Sequence, residues 1–187
     1  MIVIADTRRQ AKSFAAINGS TFKMTSMAVF KAALAAGEPE PVRCAAIAES
    51  CGVRILTYPS QARRQREGDT MAASSLLRAL ADHGEDALRL ALTAIMASRG
   101  SKCGLVDSAN VRALARLFRE HPMKPETVKA AFARIDLRAA RAEARRDGFQ
   151  SLALDMKAAV AKRLLALAKA GARAPALPAP AAEGRAA

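Results

Sequence analysis

Aromatic residues are scarce in this chain: they make up 4% of its 187 residues, and tryptophan is absent. Runs of valine, isoleucine, threonine and tyrosine, which β-strands favour, are nearly absent as well. Alanine, leucine and arginine abound instead, and these are among the strongest helix formers. The composition therefore predicts an all-α fold. The length leaves room for one domain with a sizeable core, with or without a tail.

Cysteine and histidine are too few and too scattered for a disulfide framework or a typical zinc site. Cys44, Cys51 and Cys103 form no CxxC pair, and His83 and His121 do not stand beside them. The odd cysteine count in a chain rich in lysine and arginine favours a reducing compartment, and each cysteine is predicted to be a small buried hydrophobe. We predict no metal and no other cofactor.

Long hydrophobic runs are also missing. No apolar stretch approaches the ~18 residues that a membrane-spanning helix needs. The N-terminal sequence MIVIADTRRQ reaches Asp6 after a short apolar start, and its arginines follow that start, which is the wrong side for a signal peptide. The sequence therefore predicts a cytoplasmic protein with no membrane partner.

Catalytic motifs are absent from the sequence. It contains no GxSxG, no HExxH and no glycine-rich phosphate loop after a strand. The basic turn RGSKCG, from Arg99 to Gly104, cannot be aligned with the GxxxxGK[ST] spacing of a Walker loop. Carboxylates are few and stand mostly beside arginines, which should keep them ionised and paired. We therefore predict that this chain alone is not an enzyme.

What the sequence does contain is apolar residues at helical spacing, separated by glycine and proline. The stretch 11–52 predicts three short helices. Thr25 or Ser26 can cap the second of them, and Pro39 and Pro41 stand where the third should start. The whole pattern predicts a compact bundle of short helices. Residues 1–5 form a candidate remnant strand, residues 6–170 the helical domain, and residues 171–187, rich in alanine and proline, a disordered tail.

The downstream helices follow from the same signals. Asp69 or Thr70 is predicted to cap a helix that ends at Gly84. The helix after it buries a stripe of leucine, alanine and isoleucine residues. The remaining predicted helices cover Leu105–Glu120, a segment from Pro125 to Ile135, a segment from Asp136 to Arg146, and a long C-terminal helix, Phe149–Ala170.

Positive charge is in large excess. The chain has 30 lysine and arginine residues against 17 aspartate and glutamate residues, a net charge of +13. Such an excess favours an anionic partner, with nucleic acid first and an acidic protein or membrane surface second. The alternative is a general bias towards arginine with no specific partner.

Some of this charge recurs at helical spacing near residue 140. If one helix runs unbroken through Asp136, four arginines fall within roughly 80° of one another on its surface. Guanidinium groups match phosphate oxygens in geometry and displace condensed counterions, so this stripe predicts contacts with a nucleic-acid backbone. The alternative is a solvated face partly neutralised by Glu143. The four residues are Arg134, Arg138, Arg141 and Arg145.

Further cations complete the predicted site. Lys129 adds charge beside the stripe, and Arg63, Arg64 and Arg66 cluster in a polar connection, where a solvated linker is the alternative interpretation. No recognition helix for base readout is evident. The sequence does not predict aromatic stacking of single strands either, since Tyr58 is the single tyrosine and the phenylalanines are needed elsewhere.

The segment AKSFAAINGSTFKMTSMAVFKAALAAGEPEPVRCAAIAESCGVRIL resembles the helical region that follows the core of ParB/sulfiredoxin-like nuclease-domain proteins from phage and mobile elements. The resemblance rests on Phe14, on Ile17-Asn18, on the helix from Phe30 to Gly37, and on the extended piece from Gly52 to Ile55. The later GDTMAASSLLRALADHGEDALRLALTAI is similar to the downstream helices of that family, so the likeness spans residues 2–95.

The chain departs from that family in one respect. The DGQHR-like motif of the family's core and the arginine-rich nucleotide-binding motif of its partition relatives do not occur here. Met1 to Ile4 would correspond to the last core strand. The resemblance therefore implies a DNA-associated helical module and transfers no active-site residue.

Charge and resemblance together predict a non-enzymatic, DNA-associated helical protein, a ParB-like accessory region that contacts the nucleic-acid backbone through a basic helix face. A competing hypothesis is a helical interaction module in which Phe149–Ala170 binds a second copy or a partner helix. A third is a truncated remnant of a larger ParB-like protein, or a helical half that works with a separately encoded core.

Overall fold

The computed structural model describes residues 10–13, 25–56, 58, 65–147 and 152–172. Within these residues the fold is all-α apart from two strands of two residues each, which confirms the predicted class. The predicted remnant strand and residues 173–187 of the predicted tail lie outside the described residues. Residues 10–13 are helical. The later elements are α1 (Ser26–Ala35), α2 (Pro39–Ser50), β1 (Arg54–Ile55), β2 (Asp69–Thr70), α3 (Ala73–His83), α4 (Glu85–Ala97), α5 (Ser108–Glu120), α6 (Pro125–Phe132), α7 (Leu137–Asp147) and α8 (Leu152–Ala172).

The helix starts follow the local chemistry of the chain. The side chain of Thr25 accepts a hydrogen bond from the backbone N–H of Ala28 and caps α1, as predicted. Helix α2 begins at Pro39, where the missing N–H costs nothing. The long C-terminal helix is confirmed from Leu152, and its predicted start at Phe149 lies outside the described residues. It extends to Ala172, slightly into the segment assigned to the tail.

The core is built around α4, which packs against α2, α3, α5 and α6. Its predicted stripe is confirmed, because Leu88, Leu92 and Ile95 are fully buried. The rings of Phe118 in α5 and Phe132 in α6 lie 6.0 Å apart between their centroids, a spacing favourable for aromatic pairs. This buried centre fixes the relative positions of the helices that carry the charged surface side chains.

The predicted cap at Asp69 or Thr70 is wrong, because these residues form β2 and pair in parallel with β1. The Asp69 carboxylate is used by tertiary contacts. It accepts hydrogen bonds from Nε (2.8 Å) and Nη2 (3.0 Å) of Arg54 and from the backbone N–H of Arg66 (2.9 Å). The Arg54 guanidinium holds the pKa of Asp69 below its usual value. Helix α3 therefore begins only at Ala73.

The condition for the arginine stripe, a helix that runs unbroken through Asp136, is not met, because α6 ends at Phe132 and α7 begins at Leu137. Between them the chain buries Ile135. The Asp136 carboxylate accepts hydrogen bonds from the backbone N–H groups of Arg138 (2.8 Å) and Ala139 (3.1 Å). Asp136 thus caps a new helix. This agrees with the predicted separate segment from Asp136 to Arg146.

Candidate nucleic-acid interface

The helix break divides the predicted arginine stripe. Arg134 lies in the turn before α7, whereas the other three arginines lie on α7 itself. The Arg138 guanidinium donates from Nε to the carbonyl oxygen of Ser101 (3.4 Å) and from Nη2 to that of Cys103. Arg141 forms an ion pair with Asp107, the residue that caps α5. These two arginines therefore anchor α7 to the loop between α4 and α5.

The remaining members of the predicted set are arranged differently. Arg134, Arg145 and Lys129 are exposed, and their side chains make no hydrogen bond or ion pair with any residue that the structure describes. Arg63 and Arg64 lie outside the described residues. The structure thus leaves cations available for an anionic ligand, but it does not align them as one helical stripe.

The loop from Ser98 to Asp107 brings basic residues together from three separate segments. The backbone N–H of Arg99 donates to the carbonyl oxygen of Ile135 (2.9 Å), which places Arg99 beside the turn that carries Arg134. The backbone N–H of Lys102 donates to Oε1 of Glu67 (3.0 Å), which places Lys102 beside Arg66. We call this surface the basic rim; its members are Arg66, Arg99, Lys102, Arg134 and Arg138.

The acids near the basic rim neutralise it only in part. The Asp69 carboxylate is buried and already bound by Arg54. Glu67 lies 4.0 Å from the Nζ of Lys102, too far for a strong hydrogen bond, and the Asp136 carboxylate faces backbone N–H groups. Arg99 is exposed, and its guanidinium has no partner within the described segments. The surface therefore keeps a positive excess.

Sequence reasoning missed Arg99 and Lys102 as site residues, although the basic turn RGSKCG was evident. Their role depends on which segments that turn touches, and these are residues 67 and 135, each more than thirty positions away. The one available signal was the density of charge in a short turn between two apolar helices. Nothing in the helical spacing of the arginines pointed to it.

A second surface feature is an apolar groove of about 530 Å³ between α5, α6 and α8. The apolar side chains of α8 divide here into two groups. Met156 and Val160 are fully buried, whereas Leu164 and Leu167 line the groove. Leu165 beside them is 63% exposed. The lining consists of Leu117, His121, Met123, Thr127, Ala131, Ala161, Leu164, Leu165 and Leu167.

The cysteines are buried to different degrees. Cys44 is fully buried, and burial raises the pKa of its thiol to about 11, so it behaves as the predicted small hydrophobe. Cys51 and Cys103 are only half-buried, so the prediction that all three are buried is wrong. The described part of the chain holds no group of three or more histidine, cysteine or acidic residues placed to bind a metal ion.

Two further findings concern membrane spans and similarity to known proteins. Among the described helices, none has both the length and the apolar character needed to span a bilayer. Comparisons of the chain with protein-family models, with curated proteins and with solved structures give no match. Function must therefore be argued from the surface features described above.

Proposed function

We propose that this protein binds the phosphate backbone of nucleic acid, DNA in the first place, through the basic rim and without acting as an enzyme. The observation that carries the proposal is the pair of contacts made by the loop from Ser98 to Asp107. These contacts place Arg99 in the loop, with Arg66 and Arg134 next to the two residues that the loop touches. Clustered guanidinium groups bind phosphates and release counterions, so they supply affinity without sequence preference.

The net charge and the resemblance of residues 2–95 support the same proposal. A net charge of +13 attracts a polyanion from a distance and raises its local concentration. The resemblance to the helical region of ParB/sulfiredoxin-like proteins suggests a DNA-associated accessory module. We infer that the protein contacts the backbone alone, since the residues of the basic rim come from loops, a turn and the first turn of α7.

Binding to duplex DNA is expected to weaken steeply with salt. If the basic rim contacts three to five phosphates, the affinity should fall by about 40- to 500-fold between about 50 and 200 mM salt. This follows from a slope of log affinity against log salt concentration of about −0.9 for each phosphate contacted. Fluorescence anisotropy with two labelled duplexes of unrelated sequence measures this, and both should bind alike. No binding at low salt, or binding that salt does not change, contradicts the proposal.

A second candidate function follows from the apolar groove. We propose that the groove binds an amphipathic helix of an acidic partner protein. Its lining is almost wholly apolar and includes the exposed Leu165, which suits the apolar face of a helix. The net charge of +13 favours a partner whose polar face is acidic over a second copy, because two copies repel each other.

Replacing Leu165 with aspartate is expected to weaken this binding. The probe is a labelled model helix with leucine at i, i+3, i+4 and i+7 and glutamate on its other face. Loss of one buried leucine contact should weaken binding about tenfold or more. Val42→Asp, at an exposed valine on α2, is the matched control and should bind as the wild type does.

Two results contradict this second candidate. One is that the model helix does not bind, or that Leu165→Asp and Val42→Asp weaken its binding equally. The other is a sedimentation experiment in which the wild type forms a dimer and Leu165→Asp does not, because the occupant would then be a second copy of the chain.

A further inference from the structure

A third surface feature lies between α3, α5 and α8, where a groove of about 460 Å³ is lined by basic side chains. Helix α3 supplies Arg78 and His83, and α5 supplies Arg112 and Arg116, which are one helical turn apart. The wall formed by α8 is small and uncharged. The lining residues are Arg78, Ala79, Asp82, His83, Arg112, Arg116, Ala153 and Leu154.

The charges in this groove are poorly neutralised. Nε of Arg78 lies 3.9 Å from the carboxylate of Asp82, and both side chains are more than half exposed, so this pair is weak. The guanidinium of Arg112 is exposed and makes no hydrogen bond or ion pair with any described residue. Among the described lining residues, Asp82 is the one acid, so the groove keeps an excess of cations.

Arg116 is held at the edge of the groove by Glu120. The carboxylate of Glu120 accepts from Nε of Arg116 (3.1 Å) and also from Nζ of Lys157 in α8. Lys157 and Arg116 together hold the pKa of Glu120 below its usual value. Glu120 is therefore a shared anion that orients Arg116 and offsets only part of the charge of the two cations.

The cations are kept close by the packing beneath them. Helices α3 and α5 are in extensive contact, with Ala79 and Ala113 buried. The hydroxyl groups of Ser75 in α3 and Ser108 in α5 are hydrogen-bonded. The backbone positions of Arg78 and Arg112 are thus fixed before any ligand arrives, which lowers the entropy cost of binding. A concave surface with an excess of charge of one sign also concentrates its field.

We propose that this groove is a binding site for a phosphate group carrying two negative charges. Guanidinium groups donate paired hydrogen bonds to phosphate oxygens, and His83 adds a further donor in its protonated form. Among the described residues that line the groove there is no phenylalanine, tyrosine or tryptophan, so no large aromatic ring is available to stack on a base. The phosphate can belong to free phosphate or pyrophosphate, or to the 5′ end of a nucleic acid.

The groove and the basic rim have no residue in common. The inference therefore goes beyond the proposed backbone binding and does not depend on it. The Arg99→Ala/Arg134→Ala double variant, which alters the rim, should bind pyrophosphate as the wild type does. If backbone binding fails while pyrophosphate still binds, only the proposed function is lost.

The test is a calorimetric titration of the full chain with pyrophosphate. Arg112→Ala should weaken binding about tenfold to hundredfold, the loss expected for one charged hydrogen-bond partner. Arg119→Ala is the matched control, because Arg119 is exposed on the same helix, lies outside the groove and has no described partner. It should bind as the wild type does. Thermal melting of both variants checks that they are folded.

A second arm separates the two sources of phosphate. The same labelled duplex is prepared with and without 5′-phosphates, and both are titrated into wild type and Arg112→Ala. A preference for the phosphorylated duplex that Arg112→Ala removes assigns the terminal phosphate, whereas Arg112-dependent pyrophosphate binding without that preference assigns the free ion. The inference is overturned if neither ligand is bound in an Arg112-dependent way, or if Arg119→Ala weakens binding equally.

Discussion

Replacing Gly68 with alanine is expected to lower the free energy of unfolding by about 2–5 kcal/mol, from left-handed backbone strain and overpacking together. Gly68 has a φ of +83°, a conformation that residues with a Cβ rarely adopt. An added Cβ would also lie 2.4 Å from the carbonyl oxygen of Gly52. Because that atom belongs to the backbone, it cannot rotate away as a side chain would.

The neighbouring structure leaves little room for adjustment at this position. The carbonyl oxygen of Gly68 accepts a hydrogen bond from the backbone N–H of Arg54 (2.9 Å), and the next residue, Asp69, pairs with Arg54 in the sheet. Moving Gly68 away from Gly52 would therefore disturb the pairing of β1 with β2 and the contact that positions Arg66.

Gly52→Ala is the matched control for this effect. Gly52 has a similar φ of +72°, but nothing lies within 4 Å of an added Cβ. Its replacement should cost only the left-handed strain, about 1–2 kcal/mol. Urea unfolding of both variants measures the difference. Equal losses of unfolding free energy in the two variants would show that the close approach of Gly68 to the Gly52 carbonyl does not limit the side chain at position 68.

Much of the helical architecture could be predicted from local sequence. The buried stripe of α4 follows from apolar spacing, and the Thr25 cap follows from one side chain placed before a helix. These signals lie within a few residues of the structure that they specify. They required no knowledge of which distant segments meet.

The wrong cap at Asp69 has the opposite character. Asp69 has the chemistry of a helix cap, but its carboxylate is taken by Arg54, fifteen positions earlier in the chain. The helix break near Asp136 was decided between two local alternatives, an unbroken helix and a new cap. Burial of Ile135 and the capping hydrogen bonds of Asp136 accompany the second alternative.

The candidate sites depend still more on tertiary contacts. The basic rim exists because the loop from Ser98 to Asp107 touches Glu67 on one side and Ile135 on the other. The spacing of Arg112 and Arg116 shows that they share a face of α5, but Arg78 joins them only through the packing of α3 on α5. Net charge predicted an anionic partner without locating where it binds.

Loss of Arg99 and Arg134 together is expected to have the largest effect on DNA binding. Both are exposed and unpaired within the described segments, so their removal should leave the fold intact. Arg138 and Arg141 are unsuitable for this purpose because they anchor α7. Two lost phosphate contacts should weaken binding about 60-fold at about 0.1 M salt.

The matched control removes the same amount of charge from residues that do not belong to the basic rim. Lys31 in α1 and Arg43 in α2 are exposed and have no partner in the part of the chain that the structure describes. Their helices pack against α3, and α2 also packs against α4 and β1. Lys31→Ala/Arg43→Ala therefore lowers the net charge equally but leaves the basic rim unchanged.

The most direct measurement is the slope of log affinity against log salt concentration for the wild type and these two double variants. With the basic rim as the DNA-binding surface, Arg99→Ala/Arg134→Ala should make the slope less steep by about 1.8, at about 0.9 per lost phosphate contact. Lys31→Ala/Arg43→Ala should leave the slope unchanged. Equal changes in both variants would mean that DNA responds to total charge alone, which contradicts a localised binding surface.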